Sequence, residues 1–172
     1  YKNREDLAYC LATLADLRLR QGALDAVEPL LDEAEQLVTE LDLGLLAAEI
    51  SGLRAQVDLT HGSAQDGLVH AKRAVARARK LEQVREEGRF LRILASAQAA
   101  NQQNKSAQRT LKQSLDLLAE REPYEAACTK LAWGKLLVVD GNKEQGEILL
   151  HEAAATFRQL GAQRELAGLL RD

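Results

Sequence analysis

Between residues 27 and 41 the apolar positions are Val27, Leu30, Leu31, Ala34, Leu37, Val38 and Leu41. That i, i+3, i+4, i+7 spacing lays one stripe along an α-helix. Leu7, Leu11, Leu14 and Leu17 predict a helix before it, with Gly22 as the break between the two. The arrangement recurs. Gly22, Gly62, Gln102 and Gly141 each end an apolar helical run, at steps of 40, 40 and 39 residues. Seven positions before each break stands a small residue (Ala15, Ala55, Ala95, Gly134), and twelve after it another (Ala34, Ala74, Ser114, Ala153). Fixed self-similarity over 20–50 residues marks a solenoid, in which each unit buries its apolar face only against its neighbours.

The pattern therefore predicts an all-α chain forming one domain over residues 1–172. Four helical hairpins span about 3–41, 43–81, 83–121 and 123–160, and a capping helix spans about 162–172. Gly134, Gly146 and Ala153 are where two helices approach closely. Gly141-Asn142 reads as a helix stop followed by a new cap, Ser63 as a cap, and Asn101-Gln102-Gln103-Asn104 as a turn built from polar residues. Pro123 suits the first position of a helix, whereas Pro29 lies slightly beyond the first turn and predicts a mild kink.

Composition supports helix throughout. Aromatic residues make up only 3% and there are two prolines, so packing rests on Leu, Ala and Val. Leu, Ala, Glu, Gln and Arg are strong helix formers. No run approaches the ~20 apolar residues of a membrane span, and Tyr1 to Asp6 lack the apolar segment of a signal peptide. A cytoplasmic setting is expected. The chain contains no methionine, even at position 1, and is read as a segment excised from a longer protein. Cys10 and Cys128 show no paired spacing and are expected as buried, reduced thiols, with a disulfide or a reactive thiol as the alternative reading.

The residues that carry chemistry are poorly placed for catalysis. His61, His70 and His151 have no ligand spacing, adjacent acids such as Glu86-Glu87 do not converge, and no glycine-rich phosphate loop is present. No catalytic residue, metal or cofactor is expected, and Trp133 is assigned to packing between paired helices. Charge is segregated: acids such as Asp25, Glu28, Asp32, Glu33 and Glu35 dominate up to Thr60. Bases such as Lys72, Arg73, Arg77, Arg79 and Lys80 dominate from His61 to Arg121. One reading of the basic run is a nucleic-acid-binding solenoid. The overall net charge of −3 and the scarcity of aromatic residues favour the other: a solvated face or a salt-bridging contact with another subunit or domain.

The spacing of small residues resembles the tetratricopeptide (TPR) repeat. Gly134, Gly146 and Ala153 of the fourth unit match that motif best, and Ala15/Val27/Ala34, Ala55/Gly67/Ala74 and Ala95/Ala107/Ser114 match it less closely. The period near 40 and the closing text from Phe157 to Ala167 resemble the longer repeats in sensor regions of bacterial multidomain regulators. The resemblance implies a right-handed superhelix of four TPR-like hairpins plus the capping helix. The first helix of each hairpin would line a concave groove. The motif's inner positions then fall on Tyr9, Asp16, Glu49, Gln56, Arg89, Arg92, Ser96 and Lys135, acidic at one end and basic at the other. The implied function is a protein–protein interaction scaffold or a sensor module of a signalling or transcription-regulatory protein, taking a peptide or protein partner. Self-association is a further reading, because a truncated solenoid leaves an apolar end uncovered.

Overall fold

The computed structural model describes residues 2–169. Among the described residues there are nine α-helices, one short 3-10 turn at Leu24–Ala26 and no strand. The helices are α1 (Lys2–Arg20), α2 (Val27–Leu41), α3 (Gly44–Thr60), α4 (Ala64–Lys80), α5 (Val84–Ala100), α6 (Asn104–Leu118), α7 (Pro123–Val139), α8 (Lys143–Leu160) and α9 (Gln163–Leu169). The turns between them share one device. Gly22, Asp42, Gly62, Glu82, Gln102, Gly141 and Gly161 all take a left-handed backbone. The amide just beyond each reaches back five residues, as in Ser63 N–H to Asp58 O, Gln103 to Gln98 and Asn142 to Leu137, each 2.8 Å. This closure satisfies helix-end carbonyls that otherwise lack a partner.

The breaks expected at Gly22, Gly62, Gln102 and Gly141 are thus left-handed, and Asp42 and Glu82 adopt the same conformation without a glycine to signal it. One turn departs. Pro123 disfavours a helical conformation in the residue before it, and Glu122 sits at φ −132°, its N–H bonded to Leu118 O at 2.9 Å. Counted from the equivalent positions Ala78 and Leu118, the next helix starts six residues on at Val84 but five residues on at Pro123, which accounts for the single 39-residue step. The caps differ from expectation: Ser63 and Asn142 occupy N-cap positions, yet neither side chain makes the cap hydrogen bond. The backbone carbonyls of those residues accept from Gly67 and Gly146 instead.

The chain divides into two compact units, residues 1–83 and 84–172. In the first, α1 pairs with α2 and α3 with α4, while α2 packs on α3. Its core joins Ala8, Leu11, Ala12 and Ala15 of α1, Val27, Leu31, Ala34, Leu37 and Val38 of α2, and Leu46, Ile50, Leu53 and Val57 of α3. Only Leu11 of the four leucines expected to form the buried stripe of α1 enters this core; Leu7, Leu14 and Leu17 are exposed. The alanine face of α1 permits the closest approach of its neighbours, so the leucines are left on the uncovered side. Cys10 lies among them and is exposed, contrary to the expected buried thiol. Pro29 is the third residue of α2, because the 3-10 turn delays the start of the helix. Its missing N–H falls where no intrahelical bond would form, so the reason for expecting a kink disappears.

In the second unit α5 pairs with α6 and α7 with α8; α6 packs on α7, and α9 on α8. The α7–α8 hairpin is the tightest. A Cβ placed on Gly134 would lie 2.9 Å from Gly146 O, and one on Gly146 would lie 2.8 Å from Gly134 O, so the two backbones touch. Ala153 and Phe157 are fully buried with Ala127 beneath Leu166 and Leu169 of α9. The expected capping helix is therefore seen over 163–169, and its remaining residues, 170–172, lie outside the described region. Trp133 is partly buried and packs against Ala95, Ala107 and Leu111 of the preceding hairpin. Across both units Ala34, Ala74, Ser114 and Ala153 have no exposed surface at all.

Candidate partner-binding face

Four of the proposed groove residues belong to the first unit. Tyr9 and Asp16 lie two turns apart on α1, and Glu49 and Gln56 hold the same two register positions on α3, which touches α1. Tyr9 is exposed at 44%. Asp16 accepts from Arg20 Nε at 2.8 Å, one turn on. Gln56 and Glu49 are half-buried, with Gln56 Nε2 3.5 Å from Gly52 O. This set carries two carboxylates, Asp16 and Glu49, and the exposed ring of Tyr9.

The second unit differs. Arg92 is turned into the protein: Nη2 lies 2.8 Å from Glu125 Oε2, and Nη1 lies 3.1 Å from Glu125 O and 3.3 Å from Thr129 Oγ1. Arg89 approaches the same carboxylate at 3.7 Å and Arg85 at 4.0 Å. Three guanidinium groups thus converge on Glu125, which is only 6% exposed. A carboxylate so placed needs paired cations and hydrogen bonds to offset its desolvation. The Arg92 charge expected to face a ligand on α5 is thus turned inward onto this carboxylate. Ser96 is exposed and donates to Arg92 O at 3.2 Å, and Lys135 is exposed on α7.

Glu125, Thr129 and Ser114 were not singled out from the sequence. A signal existed: Glu125 is the only acid in α7, and Arg85, Arg89 and Arg92 fall at i, i+4, i+7 on α5. Ser114 Oγ donates to Gly88 O at 2.8 Å and lies 3.0 Å from Thr129 Oγ1, joining α5, α6 and α7. Nearby, Tyr124 donates its hydroxyl to Glu165 of α9 at 2.8 Å. Burial, reinforced by that carboxylate, pushes the phenol well above its ordinary value. Partial burial likewise raises the half-buried Cys128 thiol above its ordinary value, which disfavours the reactive thiolate.

Other chemistry is sparse. An open depression in the first unit is lined by Leu24, Asp25, Glu28, Pro29, Asp32 and His61. Among the described residues no group of three or more His, Cys, Asp or Glu side chains is placed to hold a metal ion. Nor is any described helix long and apolar enough to cross a membrane.

What the arrangement defines is an all-α class of protein, its described helices packed in adjacent pairs within each unit. No family model and no curated protein matches the chain. Among solved structures it is similar to BtubC (BKLC) from P. vanneervenii, with a TM-score of 0.72 at 15% sequence identity over 92% of this chain. The chain spans 66% of the length of that protein. At such low identity the likeness concerns the fold alone.

Proposed function

We propose that the chain is a TPR-like binding module: a right-handed superhelical stack whose first helices present a groove to a peptide or protein segment. It acts by recognition and not by catalysis, as a scaffold or sensor segment of a larger signalling or transcription-regulatory protein. The observation that carries this reading is the division of labour along the repeat. The recurring small positions, Ala34, Ala74, Ser114 and Ala153, are consumed in packing. Tyr9 and Asp16 on the first helix remain accessible, at the register that Glu49 and Gln56 occupy on α3. An amphipathic ring beside carboxylates suits a basic, extended or helical segment, with the aromatic residue supplying contact area and the acids fixing polarity.

The test is selection of peptides from a random display library against the 172-residue chain. Enriched peptides should carry Lys or Arg. Their affinity should fall about ten-fold or more when Tyr9→Ala and Asp16→Lys are combined, a loss of ~1.4 kcal/mol or more. The helical circular-dichroism signal should stay unchanged. Peptides that bind the variant as well as the parent chain would refute the assignment of this face.

A further inference from the structure

The outer faces of α2 and α4 carry opposite charge at matching register. Along α2 the solvent-facing positions include Pro29, Asp32, Glu33, Gln36 and Glu40; forty residues later the same positions of α4 are Val69, Lys72, Arg73, Ala76 and Lys80. Asp32 therefore corresponds to Lys72, Glu33 to Arg73 and Glu40 to Lys80. All six are exposed. Asp32 keeps 65% of its side-chain surface open while bonding Arg54, and Glu40 keeps 55% while pairing with Arg4. Arg77, also on α4, does not belong to this face: it turns inward to Ala47 O at 2.7 Å and Ser51 Oγ at 2.8 Å.

We propose that this two-helix surface binds a second copy of the same chain, α2 of one copy lying along α4 of the other. Symmetry decides the geometry. Both α2 and α4 pack on α3 and are related by the forty-residue repeat, so a two-fold axis parallel to them keeps every residue at its own height and brings α2 over α4. Asp32 then faces Lys72 of the partner subunit, Glu33 faces Arg73 of the partner subunit and Glu40 faces Lys80 of the partner subunit, each pair occurring twice. An in-plane axis perpendicular to the helices would instead stack α2 on α2 and α4 on α4, setting like charges opposite each other. Charge complementarity selects the first arrangement. Pairs at an exposed rim are individually weak and are screened by salt, so the dimer is weak and salt-sensitive. The inference is independent of the groove formed by the first helices.

Two variants test it by sedimentation over a concentration series at low salt. Lys72→Glu with Arg73→Glu makes both helices acidic, and Asp32→Lys with Glu33→Lys makes both basic; Arg54 retains Glu35 in the latter. Each variant alone should lose self-association by about ten-fold or more, while an equimolar mixture should form a heterodimer at least as tight as the parent dimer. Raising salt from about 50 to about 500 mM should dissociate the parent dimer. A parent chain that stays monomeric throughout overturns the proposal. So does a dimer that survives either pair of substitutions, or two helical variants that fail to associate when mixed. Monomeric parent chain that binds a duplex oligonucleotide, and loses it with Lys72→Glu and Arg73→Glu, would assign the basic face to nucleic acid instead.

Discussion

The seam between α2 and α3 and the seam between α6 and α7 occupy equivalent places in their units, yet they are built from different chemistry. In the first, Ala34 and Ile50 belong to one apolar core, and Arg54 reaches Asp32 and Glu35 at the rim. In the second, the equivalent positions are Ser114 and Thr129, both fully buried and hydrogen-bonded to each other, beside the Glu125–Arg92 pair. Apolar contact needs only shape, whereas the polar seam needs every member satisfied. The same backbone thus accepts either solution, and the two should fail differently when a single partner is removed.

The largest contrast is expected from the ion pairs. Glu125→Ala strips the partly buried Arg92 of its partner and should cost about 2–3 kcal/mol of unfolding free energy. That is below the ~3–5 kcal/mol of a wholly buried pair, because Arg92 remains 21% exposed. Arg54→Ala, whose acids stay wet, should cost about 1 kcal/mol or less. Urea denaturation of both variants measures the difference, and equal losses would erase the distinction between the seams.

Packing within the hairpins gives the next effect. Gly146→Ala drives a methyl group to 2.8 Å from a backbone oxygen. It should destabilise by about 1–3 kcal/mol despite the better helix propensity of alanine. Gly67→Ala in the first unit meets Ala55 O at 3.2 Å and Leu59 at 3.1 Å; propensity and crowding there should cancel to within about 1 kcal/mol. Thermal melts of the pair rank the two hairpins by closeness.

The hydroxyl seam sharpens the comparison further. Ser114→Ala or Thr129→Val alone should cost about 1–2 kcal/mol through the polar groups left behind, whereas the double variant should cost less than the sum. A double-mutant cycle with no coupling would mean that the 3.0 Å contact contributes nothing. The smallest effect concerns the turns. Glu82→Gly and Gln102→Gly relieve left-handed backbones that cost a residue with a Cβ about 1–2 kcal/mol. Part of that gain is offset by the greater entropy of glycine in the unfolded chain, so each should raise stability by about 0.5 kcal/mol in chemical melts.

The helices, the hairpin pairing and the fully buried positions Ala34, Ala74, Ser114 and Ala153 follow from the sequence, because helical periodicity and residue size are local properties that survive any arrangement of neighbours. The tight contact of Gly134 with Gly146 follows in the same way. Which apolar residues face a neighbour does not. Leu7, Leu14 and Leu17 have the composition of a core stripe, but burial depends on whether another helix lies on that side. The left-handed turns at Asp42 and Glu82 are set by chain closure between packed helices, not by residue preference. Arg92, legible as an outward cation on α5, is drawn inward because the fold delivers Glu125 from 33 positions away to within 2.8 Å. Charge is written in the sequence. Only the tertiary structure decides whether it meets solvent, a ligand or another part of the chain, since that depends on distance and burial in three dimensions.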